Sequence, residues 1–220
     1  LANMSYPDGE LIFLTDAQGS LSILLSYLQK AGLNVCDYTV GIVNSLAVWG
    51  YLLAAVLIYL IFIALEMPVW RAVVFSAFVA AMAPHLPRMI GHHGLSHTFL
   101  LPLTFLWLIR KFNVQKSEWR DLGFWFLMLF FTFNNPYSGF GLGLTVLLTG
   151  LVMMVRQKRF DRHWFYIAFL GLSPLLILFS YLHFFDPFHD RIALQWGFFH
   201  YKANVEGLIA PAQSLMDWGL

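Results

Sequence analysis

Apolar residues fall in long runs rather than in alternation with polar ones: Thr39 to Leu65, Val69 to Pro84, Ser96 to Ile109, Leu122 to Phe133, Ser138 to Val155 and Trp164 to Phe184. A helix needs about 20 largely apolar residues to cross the hydrocarbon core, and in lipid only helices or closed barrels satisfy their own backbone groups. Long uniform runs favour helices. The expected fold class is all-α, a polytopic transmembrane helix bundle of about six spans; three of the six are short, and Leu122 to Phe133 crosses only if its flanking aromatics count. Ser20 to Leu28 is too short to span and reads as an interfacial amphipathic helix. Prolines 68, 84, 87, 102, 136, 174 and 187 fall near the expected helix ends or inside short spans, where they stop or kink a helix.

Composition agrees with this pattern. The 220 residues are 59% hydrophobic, 18% aromatic and only 11% charged, with a mean hydropathy of +0.67; a soluble globule lacks a polar surface at that composition. The single Cys36 excludes an internal disulfide framework, and a net charge of +1 gives no reason to expect nucleic acid as a partner. Charge distribution is more informative. Arg71, the four basic residues of the segment Arg110–Arg120 and the four of Arg156–Arg162 all fall on one face, where four acidic residues leave +5. The other face holds four basic and eight acidic residues, a balance of -4. Because cytoplasmic loops are rich in Lys and Arg, the first face is expected inside and the second outside, with the N-terminal and C-terminal segments both extracytoplasmic.

No targeting signal, internal repeat or soluble linker is visible. The chain opens on Leu1 and closes at Leu220 without a stop pattern, so residues 1–220 are expected to form a single transmembrane unit that is an internal piece of a longer protein.

Polar residues other than the inner basic ones gather in four outer segments, 1–38, 84–97, 133–140 and 184–220. The first holds Asp8, Glu10 and Asp16 around a Pro-Asp-Gly turn; Asp16 can serve as a base or metal ligand, or Thr15 or Asp16 can cap the helix that follows. The second carries Arg88, His92, His93 and His97, the densest cluster in the chain. A guanidinium at the membrane boundary suits a lipid-linked phosphate, or snorkels to an ordinary headgroup. His93 and His97 are spaced i, i+4, yet the glutamate of an HExxH motif is missing, so no metal site is assigned and proton handling or hydrogen bonding is preferred. In the third, Asn134, Asn135 and Tyr137 are expected exposed at the tip of a hairpin, where they suit sugar hydroxyls or simply build the turn. The fourth interleaves His200 and Lys202 with aromatics that can stack on sugars or form a headgroup belt. No GxSxG, CxxC, zinc-finger or Walker pattern is present, and the three glycines 139, 141 and 143 lack the preceding strand of a dinucleotide fingerprint.

The order YPDGELIFLTDAQGSLSILL, APHLPRMIGHHGLSHTFLLPL, NNPYSGFGLGL and FFHYKANVEGL resembles the polytopic bacterial membrane enzymes of the GT-C glycosyltransferase superfamily, and the likeness covers most of the chain. The resemblance implies an enzyme of the bacterial cytoplasmic (inner) membrane that moves a sugar from a polyprenyl-phosphate donor to an acceptor outside. It further implies Asp16, then Asp8, as general base or metal ligand, with a divalent cation as candidate cofactor, and Arg88 on the donor phosphate. His92, His93, His97, Asn135, Tyr137, His200 and Lys202 complete the candidate substrate-binding set. The family's leading transmembrane helix has no counterpart here, so the principal carboxylate could precede Leu1. The expected partners are the lipid bilayer, a lipid-linked sugar donor and other membrane protein subunits, with no nucleic acid. The alternative is a non-catalytic integral-membrane subunit or scaffold of a larger complex. Transport is the weakest reading, because apart from His183 no ionisable group sits deep in an apolar run.

Overall fold

In the computed structural model the described residues are 18–82, 97–113 and 119–185. They all belong to one compact unit, Leu1–Asp186. Among them are seven α-helices, one short 3-10 helix at Cys36–Tyr38, and no strand. The α-helices are α1 (Gly19–Lys30), α2 (Thr39–Ala64), α3 (Val69–Met82), α4 (Leu100–Asn113), α5 (Trp119–Asn134), α6 (Pro136–Gln157) and α7 (Arg162–Phe185).

The six apolar runs become α2 to α7 in order, and the short amphipathic run becomes α1. By length and composition three helices can cross a membrane: α2, α6 and α7. The 14 residues of α3 and of α4 rise about 21 Å, less than the roughly 30 Å hydrocarbon core, and α5 has 16. Side-chain exposure follows the apolar pattern. In α2 the apolar residues run round the whole helix, and Trp49 and Val56 stay 68% and 53% exposed, as in a helix that faces lipid rather than a core.

Each helix end has a local cause. Gly32, at φ +93°, closes α1 in a Schellman turn in which the Leu33 and Gly32 amides donate to Leu28 and Gln29. The end of α2 has the same pair of bonds, from Met67 to Phe62 and from Glu66 to Ile63, but there the left-handed position is Glu66, at φ 61°, with Pro68 following. Inside α7, Pro174 removes the amide that would reach Leu170; Ser173 Oγ lies 3.5 Å from that carbonyl and accepts the Trp125 indole N–H at 2.7 Å, tying α5 to α7.

The most extensive packing is between α6 and α7. Glycines make it possible: a Cβ on Gly150 would lie 2.6 Å from the Trp164 carbonyl, and one on Gly171 2.5 Å from the Leu147 amide. Small residues that let backbones meet are the usual means of packing helices in lipid, where burial between helices gives little driving force. Around this pair, α4 and α5 add Trp107, Phe124, Met128 and Phe131 to a core completed by Val146, Trp164 and Ile167.

Candidate functional site

Where α5 meets α6 the chain turns through a single residue. Asn135 accepts the Ser138 amide at 3.0 Å and caps α6, with Pro136 at the first helical position. Gly139 then passes so close that an added Cβ would lie 2.5 Å from Thr132 Cα. The tight turn is covered by α1, whose Ser20 hydroxyl donates to the Phe130 carbonyl at 3.0 Å and whose Leu21 amide donates to Asn134 Oδ1 at 3.2 Å.

The cap position of α1 falls on Gln18, in a left-handed conformation at φ 51° with no side-chain cap bond. Its amide is used elsewhere: Gln18 Oε1 lies 3.3 Å from His97 Nε2, so that nitrogen carries the proton of the contact. Both side chains are buried. The imidazole is held by Phe131, 5.0 Å between ring centres, and Phe99, 6.2 Å. Segments near residues 18, 97 and 134 thus converge on one polar cluster at this end of an otherwise apolar bundle.

Two cavities flank it, and His97 lines both. One, of about 390 Å³, is walled by Leu21, Trp49, Phe99 and Phe131 and includes Asn134. Asn134 is 1% exposed, and its Nδ2 is a buried donor with no hydrogen-bond partner among the described residues, a costly arrangement in an apolar surround. The other cavity, of about 530 Å³, combines apolar walls from α2, α3 and α4 with Thr98, Tyr137, Ser138 and Thr145. An apolar groove beside a few convergent polar groups can hold a molecule with a hydrocarbon tail and a hydrogen-bonding head.

Of the candidates from the sequence, His97 and Tyr137 share the larger cavity. Tyr137 is 81% exposed, as expected at a hairpin tip. Asn134 and Asn135 depart from that expectation: both are buried, because α1 packs over the turn and because the Asn135 side chain is occupied in capping. Asp8, Asp16, Arg88, His92, His93, His200 and Lys202 lie outside the described residues. Among the described residues no group of three or more His, Cys, Asp or Glu side chains could hold a metal ion.

A family model described as a domain of unknown function, DUF6311, matches residues 1–219. The chain belongs to the DUF6311 family. No curated protein and no solved structure matches it.

At the opposite end of the bundle the DUF6311 chain contains a polar feature that the sequence reading missed. Lys111, counted there among the basic residues of the inner face, is 1% exposed and pairs with the equally buried Asp121 at 2.7 Å. Asp121 Oδ1 also accepts the Trp107 indole N–H at 3.1 Å, and Trp107 stacks on Phe124 at 4.4 Å. His163 Nε2 lies 3.2 Å from the Lys111 carbonyl. The signal was positional. Leu100, Thr104, Trp107 and Lys111 occupy one helical stripe, as do Asp121, Phe124, Met128 and Phe131, so continuing each buried face to its helix end reaches the ion pair.

Proposed function

We propose that this chain is the membrane core of a GT-C-type glycosyltransferase that moves a sugar from a polyprenyl-phosphate donor to an acceptor on the extracytoplasmic side of the bacterial cytoplasmic membrane. In this reading α2 to α7 make six passes, with the shorter helices crossing where the bilayer thins or with residues beyond their ends, and α1 lies in the outer interface. The observation that carries it is the His97 cluster. Hydrogen-bonding groups from three distant segments meet at the end of the bundle opposite the basic turns, between two cavities with largely apolar walls. That juxtaposition suits a substrate whose head is a sugar phosphate and whose tail is a hydrocarbon.

In the reaction the acceptor hydroxyl oxygen bonds to the anomeric carbon, the bond from that carbon to the donor phosphate oxygen breaks, and polyprenyl phosphate leaves. A base takes the hydroxyl proton, and a cation or hydrogen-bond donor stabilises the departing phosphate. The resemblance assigns these roles to Asp16, with Asp8 second, and to Arg88; a divalent cation bound by the carboxylates is compatible with them. His97, Asn134 and Tyr137 would orient the sugar and the head of the lipid. Among the described residues the Asn134 Nδ2 protons lack a partner, as a donor kept for a ligand would.

The test is release of polyprenyl phosphate by membranes containing the full-length protein, supplied with undecaprenyl-phosphate-linked hexoses, pentoses or N-acetylhexosamines. Asp16→Asn and Arg88→Ala should abolish transfer, and His97→Ala should lower kcat/KM by at least tenfold, about 1.4 kcal/mol in the transition state. Wild-type transfer in all three variants rejects the site; no transfer from any donor by well-folded protein favours the non-catalytic subunit.

A further inference from the structure

We infer that the acceptor is itself a lipid, a hydrocarbon chain ending in a hydroxyl, whose head enters the cavity of about 390 Å³ between α1, α2 and α5. The inference rests on the glycosyltransferase reading and adds the chemical class of the second substrate. One polar atom defines the head. Asn134 is 1% exposed and lines this cavity. Its Oδ1 accepts the Leu21 amide at 3.2 Å, which fixes the other end of the side-chain amide as the donor. That Nδ2 has no hydrogen-bond partner among the described residues, and a ligand bearing an acceptor oxygen relieves the cost of leaving it unmet. A saturated chain end does not.

The remaining walls select the tail. Apart from Asn134, His97 and the Trp49 indole, the lining is hydrocarbon or glycine, with Leu46, Leu53 and Phe130 among it. Leu24 and Trp49 line the slot and also belong to the exposed surface of the bundle, so a chain lying between them continues into the lipid around α2. A sugar phosphate, with polar atoms on every side, finds too few partners among these side chains. The cavity of about 530 Å³ suits it better, with Thr98, Tyr137, Ser138 and Thr145 in its lining. His97 lines both cavities, so a donor head in one and an acceptor head in the other meet at the same imidazole. A hydroxyl that accepts the Asn134 N–H through one lone pair keeps its second lone pair for the anomeric carbon and its own proton for the base. The new carbon–oxygen bond forms as the bond to the donor phosphate breaks, and the product is a glycolipid.

Salt-washed membranes of the source organism, with and without the full-length protein, test the acceptor class when supplied with undecaprenyl-phosphate donors carrying a radiolabelled sugar. The expected result is protein-dependent release of undecaprenyl phosphate, with the label in a new product that extracts into chloroform–methanol and no stimulation by the soluble fraction. Label in protein or in a water-soluble product, or release that needs the soluble fraction, overturns the lipid acceptor and leaves the glycosyltransferase reading standing; no release from any donor overturns both. Leu53→Trp, which fills the slot, should lower transfer at least tenfold, whereas Val152→Trp, on an exposed part of α6 outside both cavities, should not. Equal rates in the two variants overturn the slot. The purified wild-type protein gives an answer that needs neither turnover nor a folded variant. Photoreactive hexadecanol and its methyl ether, both with an acceptor oxygen, should label peptides containing residues 46–53 and 127–134, and the corresponding alkane at least tenfold less. Equal labelling by the alkane, or an ether that behaves like the alkane, refutes Asn134 as the donor that selects the head.

Discussion

Replacing Asp121 with alanine removes the carboxylate that Lys111 reaches at 2.7 Å, in a place where both side chains are 1% exposed. The ammonium is then left desolvated without the partner that offset its burial, and the Trp107 indole N–H loses its acceptor. Breaking a buried pair from one side costs about 3–5 kcal/mol. At roughly 2–4 °C per kcal/mol for a domain of this size, the apparent Tm should fall by about 6–20 °C. Lys111→Ala should cost a similar amount, because it strands the carboxylate. The double variant Lys111→Met/Asp121→Leu removes both charges and leaves mainly the indole N–H unsatisfied, a loss of about 1–3 kcal/mol. The assay is thermal unfolding of the purified protein in detergent for wild type, both single variants and the double, read as a double-mutant cycle. The reasoning fails if the single variants melt within about 2 °C of wild type, or if the double variant loses as much as the two singles together; either result means that water already reaches the pair.

Packing and backbone terms give three further expectations. Gly150→Val places a side chain where even a Cβ would lie 2.6 Å from the Trp164 carbonyl, so α6 and α7 must separate and stability should fall by about 1–3 kcal/mol or more, visible in the same melts. Glu66→Gly relieves a left-handed residue at φ 61° and should stabilise the α2 terminus by about 1 kcal/mol, raising rather than lowering the apparent Tm. Asn135→Ala removes the α6 cap and should cost about 0.5–2 kcal/mol, whereas Asn135→Ser should keep most of the stability; equal losses in the two variants would show that capping is not the main role of this side chain.

The helices were the legible part. Each apolar run from Thr39 onward corresponds to one helix, because the fraction of apolar surface and its length are properties of the local sequence. The candidate site was legible only in pieces. His97 and Tyr137 could be picked out as polar residues next to apolar runs, but Gln18 is an ordinary residue until its position before α1 brings it to the His97 ring. Asn134 and Asn135 have the composition of an exposed turn, yet α1, more than a hundred residues earlier, lies on top of them. Lys111 obeys the basic-turn pattern so well that nothing in the count distinguishes it from Arg110, and only the direction of its stripe on α4 buries it.

Local order, then, belongs to the sequence alone: an all-α chain, apolar runs with basic residues between alternate pairs, and helix ends set by Gly32, Pro68 and the Asn-Pro step at 135–136. These follow from backbone chemistry and from transfer of side chains out of water, which act on each segment independently. Partnership was decided by the tertiary structure. Which glycines meet, which amide loses its partner and which lysine is neutralised depend on the distance between helices, and that distance is set by side chains on two segments at once, which no single stretch of sequence specifies.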